Sequence, residues 1–149
     1  MVTDIPVRVA GDEDLVALLA LYHELHPAET PLPEKLAATT YRQVLTQPGM
    51  TIFLALDGDR PTATATLVVI PNLTRGGRPY ALIENVVSAR NRRGEGYGRA
   101  VVCYAIEAAW AAGCYKAMLL TGRTDPAIHK FYEACGFVQN KTGFQIRRN

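Results

Sequence analysis

No apolar run in this sequence approaches the ~20 residues that a membrane-spanning helix needs. The opening segment Met1-Val2-Thr3-Asp4-Ile5-Pro6 also lacks the basic stretch and apolar core of a secretory signal. Cysteine is scarce: Cys103, Cys114 and Cys135 make an odd number, and none stands in a C-x-x-C pair. That spacing argues against a thiolate zinc site or a redox dithiol, and each cysteine lies in or beside an apolar helical stretch. They are expected to be small buried hydrophobes in a reducing compartment. Charge is nearly balanced, at +2 over 149 residues, and there is no basic recognition helix. Neither nucleic acid nor a membrane surface is therefore an expected partner. His23 and His26 stand three apart with Glu29 nearby, but no third ligand has convincing spacing, so no metal site is expected. Repeats, low-complexity tracts and a central linker are all missing. One soluble cytoplasmic domain over residues 1–149 follows, with 48% hydrophobic residues to build its core.

What is present is a chain of short, well-punctuated elements. Val7-Arg8-Val9 alternates as a first strand, and Leu15, Leu18, Leu19, Tyr22 and Leu25 then recur at helical spacing behind Asp12, Glu13 and Asp14. Pro33 opens a second helix with Leu36, Tyr41, Val44 and Leu45, stopped by Pro48-Gly49. Residues 51–56 and 62–70 are rich in β-branched side chains, and Asp57-Gly58-Asp59 between them is a hairpin signal. A further strand begins near Tyr80, after the turn Thr74-Arg75-Gly76-Gly77-Arg78. A long helix over 97–112 ends at Gly113, a short strand covers 116–120, and Asp125-Pro126 caps a last helix with the stripe Ile128, Phe131 and Cys135. Two short strands, around Phe137 and over 144–147, are expected to finish the chain. The outcome is an α+β mixed sheet of six to seven mostly antiparallel strands, about four helices and a central β-α-β unit.

The most informative segment is Arg92-Arg93-Gly94-Glu95-Gly96-Tyr97-Gly98-Arg99-Ala100, with three glycines and three arginines between a strand and a helix. Glycine permits positive φ and close backbone approach, and N–H groups at a helix N-terminus carry partial positive charge. Such a loop is built to cradle phosphate. A dinucleotide fingerprint starting at Gly94 would need glycine where Arg99 stands, and a Walker loop would need a Lys-Ser or Lys-Thr pair that the chain lacks.

Arg93-x-x-Gly96-x-Gly98 does match the Arg/Gln-x-x-Gly-x-Gly/Ala signature of another family. With Ile83-Glu84-Asn85-Val86-Val87 before it and Phe131-Tyr132-Glu133-Ala134-Cys135-Gly136-Phe137 after it, the chain resembles the GNAT superfamily of acetyl-CoA-dependent N-acetyltransferases over roughly residues 81–144. Within it, the sequence looks most like the glucosamine-phosphate and aminoalkylphosphonate N-acetyltransferase branches. The resemblance implies the GNAT fold and direct acetyl transfer to a small primary amine. It places Val86, Val87 and Ser88 along the pantetheine arm, and Arg93, Gly94, Gly96, Tyr97, Gly98 and Arg99 at the diphosphate. Acetyl-CoA is then a co-substrate, and the two-helix segment at the N-terminal end helps to wall the acceptor site. A homodimer is also implied, because in those branches the acceptor pocket can include residues of a second subunit.

Glu84 is a carboxylate in the otherwise apolar strand Ala81-Leu82-Ile83-Glu84-Asn85-Val86-Val87, where simple alternation gives it the face of Leu82 and Val86. Burial there would make it a better proton acceptor for an arriving ammonium ion; the alternative is a solvated edge position. Tyr132 falls where the family places the tyrosine facing the coenzyme sulfur, and its alternative is a core aromatic like Phe131. Residues 121–124 could touch the coenzyme or form an ordinary polar loop. Arg75 and Arg78, on what reads as a flexible tip, suit an anionic acceptor or simple solvation. Two rival functions stay open: acetylation of a protein N-terminus or lysine, and a non-catalytic acyl-CoA sensor.

Overall fold

The structure, a computed structural model, describes residues 4–148, so Met1, Val2 and Thr3 of the opening segment and Asn149 lie outside the described residues. Its sheet contains β1 (Val7–Val9), β2 (Met50–Asp57), β3 (Arg60–Ile70), β4 (Tyr80–Ser88) and β5 (Ala117–Met118) in that spatial order. The first four run as an antiparallel meander, and β5 lies parallel to β4. The helices are α1 (Leu15–Leu25), α2 (Glu34–Thr46), α3 (Tyr97–Ala111) and α4 (Pro126–Ala134). A parallel neighbour requires a crossover, and α3 supplies it between β4 and β5. The expected β-α-β unit is present.

Alternation in β2 decides the layering. Phe53 and Ala55 point into a core with Ala63, Ala65, Leu67, Ala81, Ile83 and the Val101, Val102, Ala105 and Ala109 face of α3. Ile52 and Leu54 point the other way, into a second core with Ala10, Leu18 and Tyr41. Helices α1 and α2 thus cover one face and α3 with α4 the other, since Phe131 and Cys135 pack on the first core. Each fully buried valine or leucine contributes about 1.5–3 kcal/mol.

Local signals held where they were strong. Gly58, at φ 59°, makes the two-residue turn between Asp57 and Arg60. The Asp125 carboxylate accepts the Ala127 N–H at 2.9 Å with Pro126 in the first turn of α4. Asp14, expected to favour the positive end of α1, is instead a buried anchor: Arg8 donates to its two oxygens at 2.7 and 2.9 Å, and Gly11 N–H donates at 2.7 Å. Leu36 is exposed, and Ala37 takes the buried position beside Tyr41.

Strand number departs from expectation. Among the described residues there are five strands, not six or seven, and the segment expected over 116–120 is a strand only at Ala117–Met118. Around Phe137 and over 144–147 no strand forms. Apolar Phe137, Val138, Phe144 and Ile146 are present, but among the described residues no strand pairs with these segments.

Candidate functional site

β4 carries the first part of the site, and a bulge shapes it. Thr66 pairs with Glu84 but Thr64 pairs with Val87, so Asn85 and Val86 together face the single residue Ala65. Asn85 takes the extra-residue conformation at φ 52°, which asparagine tolerates better than most side chains. The bulge reverses the alternation. Ala81 and Ile83 face α3 before it, whereas Val86 packs toward α3 after it. Glu84 therefore shares a face with Leu82 but not with Val86, contrary to simple alternation, and its side chain is exposed rather than buried. It stands on the α1 side of the sheet, opposite Thr66, where the hydroxyl of the half-buried Tyr22 approaches Thr64 and Thr66.

Beyond the bulge, β4 has no partner on its outer edge among the described residues. Pairing with β5 stops after Ala81 with Ala117 and Leu82 with Met118, so the two parallel strands part from Ile83 onward. The backbone groups of Val86, Val87 and Ser88 line that opening. Val87 is buried and Val86 half-buried, so their side chains pack while their main chain borders the cleft.

The glycine-rich loop stands at its mouth. Gly94 and Gly96 take φ of 81° and 96°, and Gly96 is the N-cap of α3 with no side chain capping the helix. The N–H groups of Tyr97, Gly98 and Arg99 thus begin a helix without an intrahelical acceptor, a ready anion site. Gly98 serves another purpose than the positive φ expected of it, because it lies inside the helix. A Cβ there would sit 2.6 Å from Ser88 Oγ and 3.4 Å from Phe131 Cζ. Close approach of α3 to β4 and α4 requires glycine at this position. Tyr97 is buried, with its hydroxyl accepting from Arg92 at 2.9 Å, so only its backbone N–H is free to meet a ligand.

The four loop arginines are not equivalent. Arg92 pairs with Asp57 at the β2–β3 turn and donates to Glu95 at 2.7 Å, which raises its pKa and ties the loop to the hairpin. Arg90 N–H donates to the Glu24 carboxylate at 2.7 Å, joining the same loop to α1. Arg93 and Arg99 are exposed and make no ion pair among the described residues. Uncapped N–H groups, two free arginines and open space above Gly94 fit a diphosphate.

Tyr132 completes the arrangement from α4. Its ring meets Phe131 at 5.1 Å and Phe137 at 6.0 Å, edge to face. Burial chiefly, with the Cys135 thiol next and the Glu84 carboxylate adding to it, pushes its pKa up against an opposing effect of Arg123. The phenol stays protonated through neutral pH. The charges of Arg123 and Glu84 thus both act on the Tyr132 phenol. Residues 121–124 form no regular element, but the Arg123 carbonyl lies 2.9 Å from His129 Nε2 on α4.

The β3–β4 turn carries hydrogen bonds of its own. Asn72 Nδ2 donates to the Thr74 and Arg78 carbonyls at 3.1 and 3.2 Å, and Arg78 Nε donates to the Arg75 carbonyl at 3.1 Å. Arg75 and Arg78 lie 5.7 and 5.6 Å from the centre of the Tyr115 ring, and Lys116 lies 5.5 Å from the rings of both Tyr80 and Tyr115. No carboxylate pairs with these three cations among the described residues. Sequence reading missed Lys116, Asp57 and Glu24, because Asp57 meets Arg92, Glu24 meets Arg90 and Lys116 meets the Tyr80 ring only across the fold.

A mixed sheet parting between two parallel strands, with an uncapped glycine-led helix after β4, suits a long ligand that carries a diphosphate. The sequence pattern of the "Acetyltransferase (GNAT) family" matches residues 15–137, and the chain belongs to that family: it is an acetyl-CoA-dependent N-acetyltransferase. The glucosamine 6-phosphate N-acetyltransferase of Trypanosoma brucei brucei is 30% identical over 138 residues, covering 91% of this chain and 90% of that protein. A provisionally described acetyltransferase of Agrobacterium tumefaciens str. C58 has a solved structure that is 59% identical, covers 97% of this chain and 100% of its own, and superposes with a TM-score of 0.94. Glucosamine-6-phosphate N-acetyltransferase from Arabidopsis thaliana shares the fold at a TM-score of 0.85, with 18% identity, 99% of this chain and 100% of that chain covered.

Proposed function

We propose that this acetyltransferase acetylates the primary amine of a small anionic molecule, an amino sugar phosphate being the favoured class. One observation carries the reading: β4 parts from β5 after Leu82, and the loop that follows β4 ends in the uncapped, glycine-led N-terminus of α3. An amine acceptor arrives mostly as an ammonium ion, and Glu84, directly or through a water, takes its proton. The amine then attacks the thioester carbonyl with no covalent enzyme intermediate. Tyr132, kept protonated by burial, donates a hydrogen bond to the departing sulfur and gives up its proton as the C–S bond of the tetrahedral intermediate breaks, and the proton lost by the new amide nitrogen restores the phenol. Full transfer from a phenol of pKa ~10 to a thiolate of ~8.5 is uphill by about 2 kcal/mol, so the proton moves late. Val86, Val87 and Ser88 offer main-chain groups to the pantetheine arm and acetyl carbonyl. Arg93, Arg99 and the backbone from Gly94 to Gly98, with the Tyr97 N–H, hold the diphosphate. Bringing both substrates to near-attack distance accounts for ~7 kcal/mol or more of the barrier.

The uncompensated Arg75, Arg78 and Lys116 favour an anionic acceptor, as does the relation to the trypanosomal glucosamine 6-phosphate enzyme. Thiol release from acetyl-CoA, followed across glucosamine 6-phosphate, neutral amino sugars, aminophosphonates, polyamines, amino acids and peptide N-termini, tests the reading. Preference for the phosphorylated sugar or an aminophosphonate supports it. Release with peptides alone, or with no amine, overturns it.

A further inference from the structure

Three carboxylates stand at a loop suited to an anion. Arg90, Arg92, Arg93 and Arg99 lie in or beside it, yet Glu95 within the loop, Asp57 from the β2–β3 turn and Glu24 from α1 all reach it. A carboxylate near a diphosphate opposes its binding unless the charge is engaged elsewhere. Asp57 and Glu95 are engaged by Arg92. Glu24 makes no ion pair among the described residues, and its bond runs to the main chain instead. It accepts the Arg90 N–H at 2.7 Å, across 66 positions of sequence.

That N–H needs an acceptor from outside. Arg90 opens the short helical turn Arg90–Arg92, whose first N–H groups have no partner within the turn, and Ala89 before it has no side-chain oxygen with which to cap. Glu24 supplies from α1 the cap that the local sequence lacks. Its own helix gains nothing, because Glu24 lies in the last turn of α1, where a carboxylate meets the negative end of the helix. A residue that breaks a local rule while meeting a distant need marks a functional position.

The capped turn sets the course of the loop. Ala89 N–H donates to Thr62 O at 2.8 Å and Arg92 N–H to Ala89 O at 2.9 Å, so the chain is pinned as far as Arg92 and enters Arg93 and Gly94 in a fixed direction. Helix α1 is a firm base for this strut, since Leu18 and Leu21 are buried and the Tyr22 hydroxyl approaches Thr64 and Thr66 on the sheet.

We infer that Glu24 is a positioning residue for acetyl-CoA, presetting the loop so that Arg93 and the N–H groups at the start of α3 face the diphosphate before it arrives. The inference rests on the proposed role of that loop in holding the diphosphate. Presetting raises affinity by removing an ordering cost rather than by adding a contact. Its effect is therefore confined to ligands that carry the diphosphate.

Calorimetric titration of the full chain with acetyl-CoA, and with S-acetylpantetheine at millimolar concentration, tests this, because the second ligand lacks the diphosphate. Glu24→Ala is expected to weaken acetyl-CoA by about tenfold, the scale of one hydrogen bond to a charged group, and to leave S-acetylpantetheine as in the parent. Glu24→Gln, whose amide oxygen still accepts the Arg90 N–H, is expected to stay within about threefold of the parent. Parent-like acetyl-CoA affinity in Glu24→Ala, an equal loss on both ligands, or a Glu24→Gln protein as weak as Glu24→Ala would each overturn the inference. Arg93→Ala combined with Arg99→Ala reports on the reading beneath it. If that double variant binds acetyl-CoA like the parent, the loop does not hold the diphosphate and the inference goes with it; a loss there beside parent-like Glu24→Ala overturns the role of Glu24 alone. If Glu24→Ala fails to fold, hydrogen exchange at the Arg90 N–H of the unaltered chain decides. Slow exchange before acetyl-CoA is added supports a preset loop, whereas exchange that is fast until acetyl-CoA binds overturns it.

Discussion

Replacing Gly98 with Val puts a side chain where three elements meet. The new Cβ would lie 2.6 Å from Ser88 Oγ on β4 and 3.4 Å from Phe131 Cζ on α4, and its two methyl groups extend further into that space. Overpacking of this kind costs about 1–3 kcal/mol. The backbone conformation itself costs little, because Gly98 is helical. For a chain of this size each kcal/mol lowers the melting temperature by about 2–4 °C, so a loss of about 4–8 °C is expected for a 2 kcal/mol penalty. The first turn of α3 also moves away from β4, carrying with it the N–H groups placed for the diphosphate. Acetyl-CoA affinity by calorimetry should therefore fall together with stability. Adding Ser88→Ala removes the nearest atom, and the double variant should recover on the order of 1 kcal/mol, the non-additivity expected of groups in contact. Gly96→Val is the control, since its φ of 96° strains any side chain and the site has only Ile5 Cδ1 within reach, at 3.5 Å. Ser88→Ala should not rescue it. A folded Gly98→Val protein with parent-like melting and affinity, or equal effects of Ser88→Ala on both glycine variants, would refute the packing argument.

Tyr132→Phe should lower turnover by about 10²-fold, the lower end for a positioned proton donor, with acetyl-CoA affinity nearly intact. Because burial raises the Tyr132 pKa, the parent should keep this advantage even at pH near the ordinary tyrosine value; unchanged turnover in the variant removes the phenol from the chemistry. Glu84→Gln should slow the reaction most at neutral pH and recover partly as pH rises and free amine accumulates, and a pH–rate profile parallel to the parent's argues against a base. Arg75→Ala with Arg78→Ala should raise the Michaelis constant selectively for anionic acceptors; equal kinetics on every acceptor leaves the two arginines as surface charge. Asp14→Asn should cost about 1–3 kcal/mol through the lost charged hydrogen bonds to Arg8 and Gly11. The Arg8 guanidinium holds the Asp14 carboxyl below its usual range, so this stability is present above the ordinary carboxylate pKa and lost as pH falls through the lowered folded value. Denaturant titrations from pH 7 downward should show a flatter acid limb in the variant, and parallel limbs would refute the assignment.

What the sequence determined by itself is local or repeated within a few residues. Glycine at 94 and 96 specifies the left-handed turn into α3, Gly58 the hairpin, and Asp125-Pro126 the start of α4, each because a short-range backbone preference has few alternatives. The family motif Arg93-x-x-Gly96-x-Gly98 is likewise legible because its residues lie close together in sequence. Tertiary structure decided everything that needs two distant segments. The phase of β4 turned on a bulge at Asn85, which fixes that Glu84 and Val86 face opposite sides and could not be read from alternation. Arg92 is held by Asp57, a pairing 35 residues apart in sequence. Gly98 proved to be a packing residue because Ser88 and Phe131 close on it. The tail at 144–147 has strand character in its pattern, but a strand exists only where another backbone offers hydrogen bonds. Alternation states which side chains would share a face; only the assembled sheet states whether there is a partner to share it with.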